Sequence, residues 1–283
     1  MYIDSHFHVN IYNRYPGTLK TALQQLESEE IFVIGNSIDI DSYTQTKEIA
    51  AKSKMVLPCF GIHPQVAKDH IDNLEQYEEY FNEALAFGEI GLDSMHVENE
   101  EEYPLQEKML AHFFTKAKEQ KKIVFLHLDG SEEKGLEMIK EFALKKVVVH
   151  GYVGSLETLK ELLDIGVYFS IGGNKILDGF KKQMTEQKWT KYQEIVKAIP
   201  MKRLLVETDG PCRTVPNPVP DAPRSQPDYI KKIYKKICQI KGITVDELQV
   251  MVRVNLSYLL GNDPKLKQYT NLLTKKEEIK KKD

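Results

Sequence analysis

The chain has 283 residues, and its 39 Lys and Arg residues against 42 Asp and Glu residues give a formal net charge of −3. This balance excludes the strongly basic surface of a general nucleic-acid binder, so any polyanion must be attracted locally. The length suits one large domain with a single core.

Short β-rich runs alternate with longer amphipathic segments along the whole chain. The eight runs begin at Met1, Ile31, Met55, Leu85, Lys122, Lys146, Gly166 and Arg203. The segments between them, such as YPLQEKMLAHFFTKAKEQKK and SLETLKELLDIG, carry apolar residues at helical spacing, and the second begins with Ser and ends at Gly. Eight alternations of strand and helix predict a parallel (β/α)8 barrel, the TIM-barrel architecture.

The same pattern predicts how the chain is divided. We expect the barrel to span residues 1–270 and a charged tail to span 271–283, and no Gly-, Pro- or Ser-rich linker separates two domains. The Pro-rich stretch PCRTVPNPVPDAPRSQP follows the eighth run and is expected to form a loop on the catalytic rim. The helical segment DYIKKIYKKICQIKG then closes the barrel.

Cysteine usage and hydropathy bear on the cellular compartment. Cys59, Cys212 and Cys238 are widely separated and lack the close spacing of a thiolate metal site or a disulfide framework. The N-terminus lacks the apolar stretch of a signal peptide, and no run reaches the roughly eighteen apolar residues of a membrane span. We therefore expect a protein of the reducing cytoplasm with no membrane segment.

The opening stretch MYIDSHFHVN points to a metal site. His6 and His8 occupy alternate positions at the end of the first run, so their imidazoles lie on the same face of a strand and can converge. Other potential ligands also stand at or near the ends of runs, namely His63, Glu89, His127, His150 and Asp209. In a barrel, all of these ends open onto one face.

Each of these residues also has a simpler interpretation. A single His at a strand end commonly bonds to backbone, and Glu89 could be a salt-bridge partner inside the barrel. The set as a whole favours a cation, because burying so many ionisable groups without one would be costly. The remaining histidines are expected to be ordinary surface or packing residues, namely His70, His96 and His112.

Six motifs in chain order carry a family resemblance. They are D-S-H-F-H at 4–8, G-I-H-P at 61–64, G-E-I-G-L-D at 88–93, F-L-H at 125–127, H-G-Y-V-G at 150–154 and L-V-E-T-D-G-P at 205–211. Together they resemble the TatD family of metal-dependent deoxyribonucleases, within the amidohydrolase superfamily. The resemblance implies a barrel that holds up to two divalent cations, Mg²⁺, Mn²⁺ or Zn²⁺, and hydrolyses DNA phosphodiesters with little sequence preference.

The resemblance also implies roles for individual residues. It assigns His6, His8, Glu89 and Asp209 to one ion, and Glu89, His127 and His150 to the other. Glu89 would then bridge the two ions. Asp209 is the best candidate general base, and His63 would donate to a phosphate oxygen or protonate the leaving group. Glu207 is interpreted either as a residue that supports a ligand or as a carboxylate of the barrel interior.

Departures from the family pattern concern the substrate. Many members carry an Arg two positions after the fifth-strand His and a Cys-Phe-Ser after the sixth-strand His, whereas this chain has Asp129 and Gly-Tyr-Val at 151–153. An Asp at that position would repel a phosphate backbone. Candidate compensating residues are Lys175, Arg213 and Arg224 for phosphate and Tyr152 for base stacking, although each could be an ordinary solvated loop residue.

Three functions follow from these features. The favoured one is a metal-dependent DNA phosphodiesterase, an exonuclease that acts on DNA ends or short single strands. The alternative is an amidohydrolase-like enzyme for a small cyclic amide, lactone or modified nucleotide; Asp129 keeps this alternative open, while the absence of a lysine from LAFGEIGLD disfavours it. The third, a non-catalytic metal-binding scaffold, conflicts with the complete ligand set.

Overall fold

Eight parallel strands form the centre of the structure, a computed structural model that describes residues 1–97, 99–173, 176, 185–211 and 222–274. The strands are β1 Tyr2–Phe7, β2 Ile31–Gly35, β3 Val56–Pro58, β4 Phe87–Asp93, β5 Val124–Asp129, β6 Val147–His150, β7 Tyr168–Gly172 and β8 Leu204–Glu207. Each predicted run contains one of them.

The strands close into a barrel. β1, β2 and β3 pair in parallel in that order, and β4 to β8 pair in parallel in chain order. Two parallel bridges join the sheets, one between Phe60 and Phe87 and the other between Phe7 and Gly210. The (β/α)8 prediction is therefore confirmed, and the C-terminal ends of all eight strands face one rim.

Helices surround the barrel. The α-helices of the described residues are α1 Thr18–Ser28, α2 Ile40–Ala50, α3 Ala67–His70, α4 Glu78–Glu83, α5 Glu102–Gln120, α6 Glu132–Phe142, α7 Leu156–Asp164, α8 Glu186–Ala198, α9 Ile230–Lys241, α10 Val245–Leu260 and α11 Lys267–Thr274. Short 3-10 helices cover Val9–Arg14, Pro64–Val66, Ile71–Tyr77, Met201–Arg203, Pro227–Tyr229 and Pro264–Leu266. No helix among these described segments is long and apolar enough to cross a membrane.

Local sequence explains these elements. Every residue of β2 and β6 is buried, as expected for strands of a parallel sheet that is covered on both faces. Helix α9 buries Ile230, Ile233, Tyr234 and Ile237, the spacing of a single apolar face. The side chain of Ser155 accepts a hydrogen bond from the Thr158 N–H at 2.9 Å and caps α7, as the Ser at the start of SLETLKELLDIG predicts.

Strands β1 and β8 are locked together by buried polar contacts. The Asp4 carboxylate accepts hydrogen bonds from the Thr208 N–H at 2.9 Å and from the Thr208 hydroxyl at 2.5 Å. The Asp209 N–H donates to the His6 carbonyl at 3.1 Å, and the His8 N–H donates to the Gly210 carbonyl at 2.7 Å. Burial raises the pKa of Asp4 to about 8. This seam fixes the backbone around His6, His8 and Asp209.

The last helix of the described residues extends past the predicted end of the barrel. Helix α11 continues to Thr274 and buries Leu273, so residues 271–274 belong to the packed structure rather than to a charged tail. Residues 275–283 lie outside the described residues, as do residues 212–221 of the Pro-rich stretch.

Candidate metal centre

Two imidazoles at the C-terminal end of β1 meet at the C-terminal face of the barrel. His6 is fully buried and His8 is 6% exposed. Their Nε2 atoms lie 3.2 Å apart, as expected for residues i and i+2 on one face of a strand. Both ring nitrogens therefore point at a common centre.

The Glu89 carboxylate lies between two groups of imidazoles. Its Oε2 is 3.2 Å from His6 Nε2 and 3.4 Å from His8 Nε2. Its Oε1 is 2.9 Å from both His127 Nδ1 and His150 Nε2, and these two nitrogens are 3.0 Å apart. One carboxylate thus presents a different oxygen to each group.

Asp209 adds a second carboxylate on the β1 side. Its Oδ1 lies 3.6 Å from His8 Nε2 and 4.0 Å from His6 Nε2. The residue adopts φ +56°, a left-handed conformation that few non-glycine residues take. The hydrogen bond from its N–H to the His6 carbonyl belongs to the seam between β1 and β8, which holds this turn in place.

The donor set fits divalent cations. Three groups have ligand atoms that all lie within 4.8 Å of one another: His6, His8 and Asp209; His6, Glu89 and His150; and His63, Glu89 and His127. Imidazole nitrogens and carboxylate oxygens are ligands of Zn²⁺ and Mn²⁺, and carboxylates suit Mg²⁺. The buried nitrogens of His127 and His150 face each other and the same oxygen, an arrangement that a shared cation would satisfy. The structure thus brings all six predicted ligands together.

Electrostatics within the cluster favour an ionised bridging carboxylate. Burial by itself would raise the pKa of Glu89, but the imidazoles of His6, His63 and His150 lower it well below its usual range. Burial lowers the pKa of His6. Burial also opposes protonation of His150, but the carboxylates of Glu89 and Glu207 outweigh it and raise its pKa to about 10. A negative charge at Glu89 is therefore held at the centre of the cluster.

Two outer carboxylates contact the far side of these rings. Asp93 Oδ2 lies 3.3 Å from His127 Nε2, and Glu207 Oε1 lies 3.5 Å from His150 Nδ1. Carboxylates in this position orient an imidazole and increase its basicity as a ligand. The contact of Glu207 agrees with its interpretation as a supporting residue. Asp93 was not among the residues predicted for the site; its position four residues after Glu89, on the same face of β4, was the available signal.

His63 is placed to donate a proton. Its Nδ1 accepts a hydrogen bond from the Gln65 N–H at 3.2 Å, so the proton of the neutral ring lies on Nε2. That Nε2 is 3.5 Å from Glu89 Oε1, and the ring packs edge-on against His127 with centroids 4.7 Å apart. Burial lowers the pKa of His63, which favours the neutral form.

Residues 3–261 match the model of the family described as TatD related DNase. The chain belongs to this family. It is 27% identical over 270 residues to the uncharacterized metal-dependent hydrolase YabD of Bacillus subtilis, covering 92% of this chain and 98% of YabD. It is 28% identical over 225 residues to human deoxyribonuclease TATDN3, covering 75% of this chain and 76% of TATDN3.

A solved structure shows the same fold. The crystal structure of YjjV, a TatD homologue from Escherichia coli K12, superimposes with a TM-score of 0.76 at 23% identity and covers 93% of this chain and 98% of YjjV. The predictions of the TatD family, of its barrel fold and of a metal-dependent hydrolase are confirmed.

Of the four residues predicted to bind substrate in this TatD-family chain, one is buried, one is exposed and two lie outside the described residues. Tyr152 is 2% exposed, its hydroxyl donates to the Ser155 carbonyl at 2.6 Å, and its ring packs edge-on against Phe169. The prediction that Tyr152 stacks on a base is therefore wrong, because its ring is turned into the protein. Arg224 is exposed, whereas Lys175 and Arg213 lie outside the described residues.

The three histidines expected to be ordinary lie outside the cluster. His70 Nδ1 is 2.9 Å from the Tyr77 hydroxyl, and the ring of His112 packs edge-on against Phe81. His96 is closer to the site, since its Nδ1 lies 3.0 Å from the Asp93 carboxylate.

Proposed function

We propose that this protein is a DNA phosphodiesterase that hydrolyses DNA ends or short single strands as an exonuclease. The observation that carries the proposal is the Glu89 carboxylate, which presents one oxygen to His6 and His8 and the other to His127 and His150. This is the arrangement expected of a site for two cations, which can stabilise both the attacking and the leaving oxygen of a phosphodiester. Membership of the TatD family and the name of TATDN3 support DNA as the substrate.

The ligands divide into two groups around Glu89. His6, His8, Glu89 and Asp209 would hold one ion, and Glu89, His127 and His150 would hold the other. When bound, Mg²⁺, Mn²⁺ or Zn²⁺ supplies Lewis acidity and lowers the pKa of an attacking water. Asp93 and Glu207 keep His127 and His150 in their orientation through the ring nitrogens opposite the site.

The chain's own groups move the protons. Asp209 is only 9% exposed and lies on the β1 side of the cluster, so its carboxylate can accept the proton of the attacking water. The neutral ring of His63 carries its proton on Nε2, the nitrogen that faces Glu89. From there it can donate to a phosphate oxygen or protonate the leaving alkoxide.

A substrate panel tests the proposal. Purified protein is stripped with a chelator, reloaded with Mg²⁺, Mn²⁺ or Zn²⁺ and incubated with 5′- and 3′-labelled single-stranded oligonucleotides, beside lactones and cyclic amides. We expect metal-dependent release of mononucleotides from one end of the strand and little turnover of the uncharged substrates. Faster hydrolysis of a lactone or cyclic amide than of any oligonucleotide would instead favour the amidohydrolase-like alternative.

A further inference from the structure

A large apolar side chain is exposed at the catalytic rim. Met95 is 67% exposed and lies two residues after the end of β4, the strand that carries Glu89. Single exposed apolar residues are common on protein surfaces, so exposure by itself assigns no role. The contacts around Met95 distinguish it from a residue of an ordinary surface loop.

The backbone at Met95 is tied to the metal cluster. The Met95 N–H donates to Asp93 Oδ1 at 3.0 Å, and Asp93 Oδ2 lies 3.3 Å from His127 Nε2. Gln106 holds the Asp93 backbone on both sides, because its Oε1 accepts from the Asp93 N–H at 2.8 Å and its Nε2 donates to the Asp93 carbonyl at 3.3 Å. Met95 is thus exposed yet anchored to a ring of the cluster through a buried carboxylate.

The side chain of Met95 lies across the end of β5. A Cβ atom added to Gly130 would approach Met95 Cγ to 2.8 Å and Met95 Sδ to 3.0 Å. The two rim loops are also joined by hydrogen bonds, since the Ser94 N–H donates to the Asp129 carbonyl at 3.1 Å and the Ser94 hydroxyl donates to the Gly130 carbonyl at 2.8 Å. Glycine at 130 leaves the space that Met95 occupies above the strand that bears His127.

We propose that Met95 contacts a nucleobase of the bound strand through its thioether side chain; this inference rests on the proposed DNA phosphodiesterase function. An uncharged side chain gains no charge interaction with a phosphate. The nearby C-terminal end of β5 carries the Asp129 carboxylate, which repels the phosphate backbone of DNA at this point of the rim. A base has an apolar π-face, and thioethers pack favourably on aromatic rings. Such a contact is tolerant of sequence, as single-strand binding requires. Met95 takes the role that the buried ring of Tyr152 cannot perform.

Three variants and a modified substrate test the contact. Met95→Ala removes the thioether, Met95→Leu keeps an apolar side chain of similar size, and Tyr258→Ala removes another exposed side chain, 73% exposed at the end of α10. The readouts are KM and kcat on a single-stranded oligonucleotide and binding of a fluorescent oligonucleotide to the metal-free protein. A series of oligonucleotides carries one abasic residue at successive positions from the cleaved end.

We expect Met95→Ala to raise KM and weaken binding by about three- to tenfold with kcat little changed. Met95→Leu keeps the apolar bulk but loses the sulfur, so its loss should be smaller than that of Met95→Ala. Tyr258→Ala should match the wild type. The loss in Met95→Ala should disappear on the oligonucleotide whose abasic residue removes the contacted base, which a merely structural effect would not produce. Unchanged melting temperature and metal content will show that the fold and the cluster are intact.

Two results would overturn the inference while leaving the proposed function in place. One is a wild type that cleaves DNA alongside a Met95→Ala variant with the same KM and binding. The other is a loss of affinity in Met95→Ala that persists at every abasic position, which would mean that no base is contacted. A wild type that cleaves no oligonucleotide would overturn the proposed function and the Met95 contact with it.

Discussion

The floor of the site and its rim are built in different ways. On the floor, every predicted metal ligand is at most 9% exposed, and the ligands come from or directly follow strands that are locked into the barrel. On the rim, Met95, Gly130 and Arg224 are exposed, and loop contacts hold the first two against each other. The floor is thus suited to holding the catalytic groups in place, and the rim is suited to selecting the substrate that binds. Substitutions on the floor should change turnover, and substitutions on the rim should change affinity.

Removing the bridging carboxylate should have the largest effect. In Glu89→Ala, neither group of imidazoles retains a shared oxygen, so we expect loss of most bound metal and a fall in turnover of at least about a hundredfold. Elemental analysis of the purified variant and its activity on labelled DNA measure both quantities. His112→Gln, which alters a histidine outside the cluster, is the matched control and should keep both. Full metal content and turnover in Glu89→Ala would contradict the bridging role.

The Asp209→Asn substitution separates the role of Asp209 in metal binding from its role in proton transfer. The amide keeps one acceptor oxygen but cannot take a proton from water, so we expect turnover to fall by about 10²–10⁴ while much of the metal remains. Metal content and kcat, measured on the same preparation, test this expectation. If turnover stays near normal, the base must be another group, with Glu207 and His63 the next candidates.

The outer carboxylates should matter less than the ligands themselves. Asp93→Asn and Glu207→Gln keep the shape of each side chain but remove the charge that faces His127 or His150. We expect metal affinity or activity to fall by about 10–100-fold. Titration of the stripped variants with Zn²⁺ or Mn²⁺ gives the affinity. The control is Asp246→Asn, which changes an exposed acid in the first turn of α10. Equal metal affinities in all three variants would contradict the role of Asp93 and Glu207 in supporting the ligands.

The floor could be predicted from the sequence because it depends on local pattern. Strands covered on both faces are apolar along their length, which is why all eight could be predicted. In a barrel, their C-terminal ends lie at one face. Ligands placed at those ends, such as Glu89 and His150, therefore had to converge. The identity of each ligand's partner atoms still required the structure.

The contacts that surround the ligands could not be predicted in the same way, because they depend on cross-strand register and loop conformation. Asp93 reaches His127 because Gly91 pairs with His127 and Asp93 with Asp129 across β4 and β5, a register that neither segment reveals by itself. Tyr152 follows Gly151, which adopts φ +58°, and its ring is buried rather than presented to a substrate. An aromatic residue in a predicted loop suggests stacking on a base, but the conformation of the turn determines the direction of the ring.

The smallest expected effect concerns the charge at the rim. Asp129 is half-buried at the end of β5, so a DNA strand that passes this point meets a negative charge. Asp129→Arg replaces repulsion by attraction and should lower KM for single-stranded DNA by about three- to tenfold at low ionic strength, with kcat little changed. The gain should shrink as salt is raised, because exposed charges are screened. Asp129→Asn should give part of the gain, and KM for an uncharged lactone should not respond to either change. Equal KM values for DNA in the wild type and Asp129→Arg at low salt would show that the phosphate backbone does not pass this strand end.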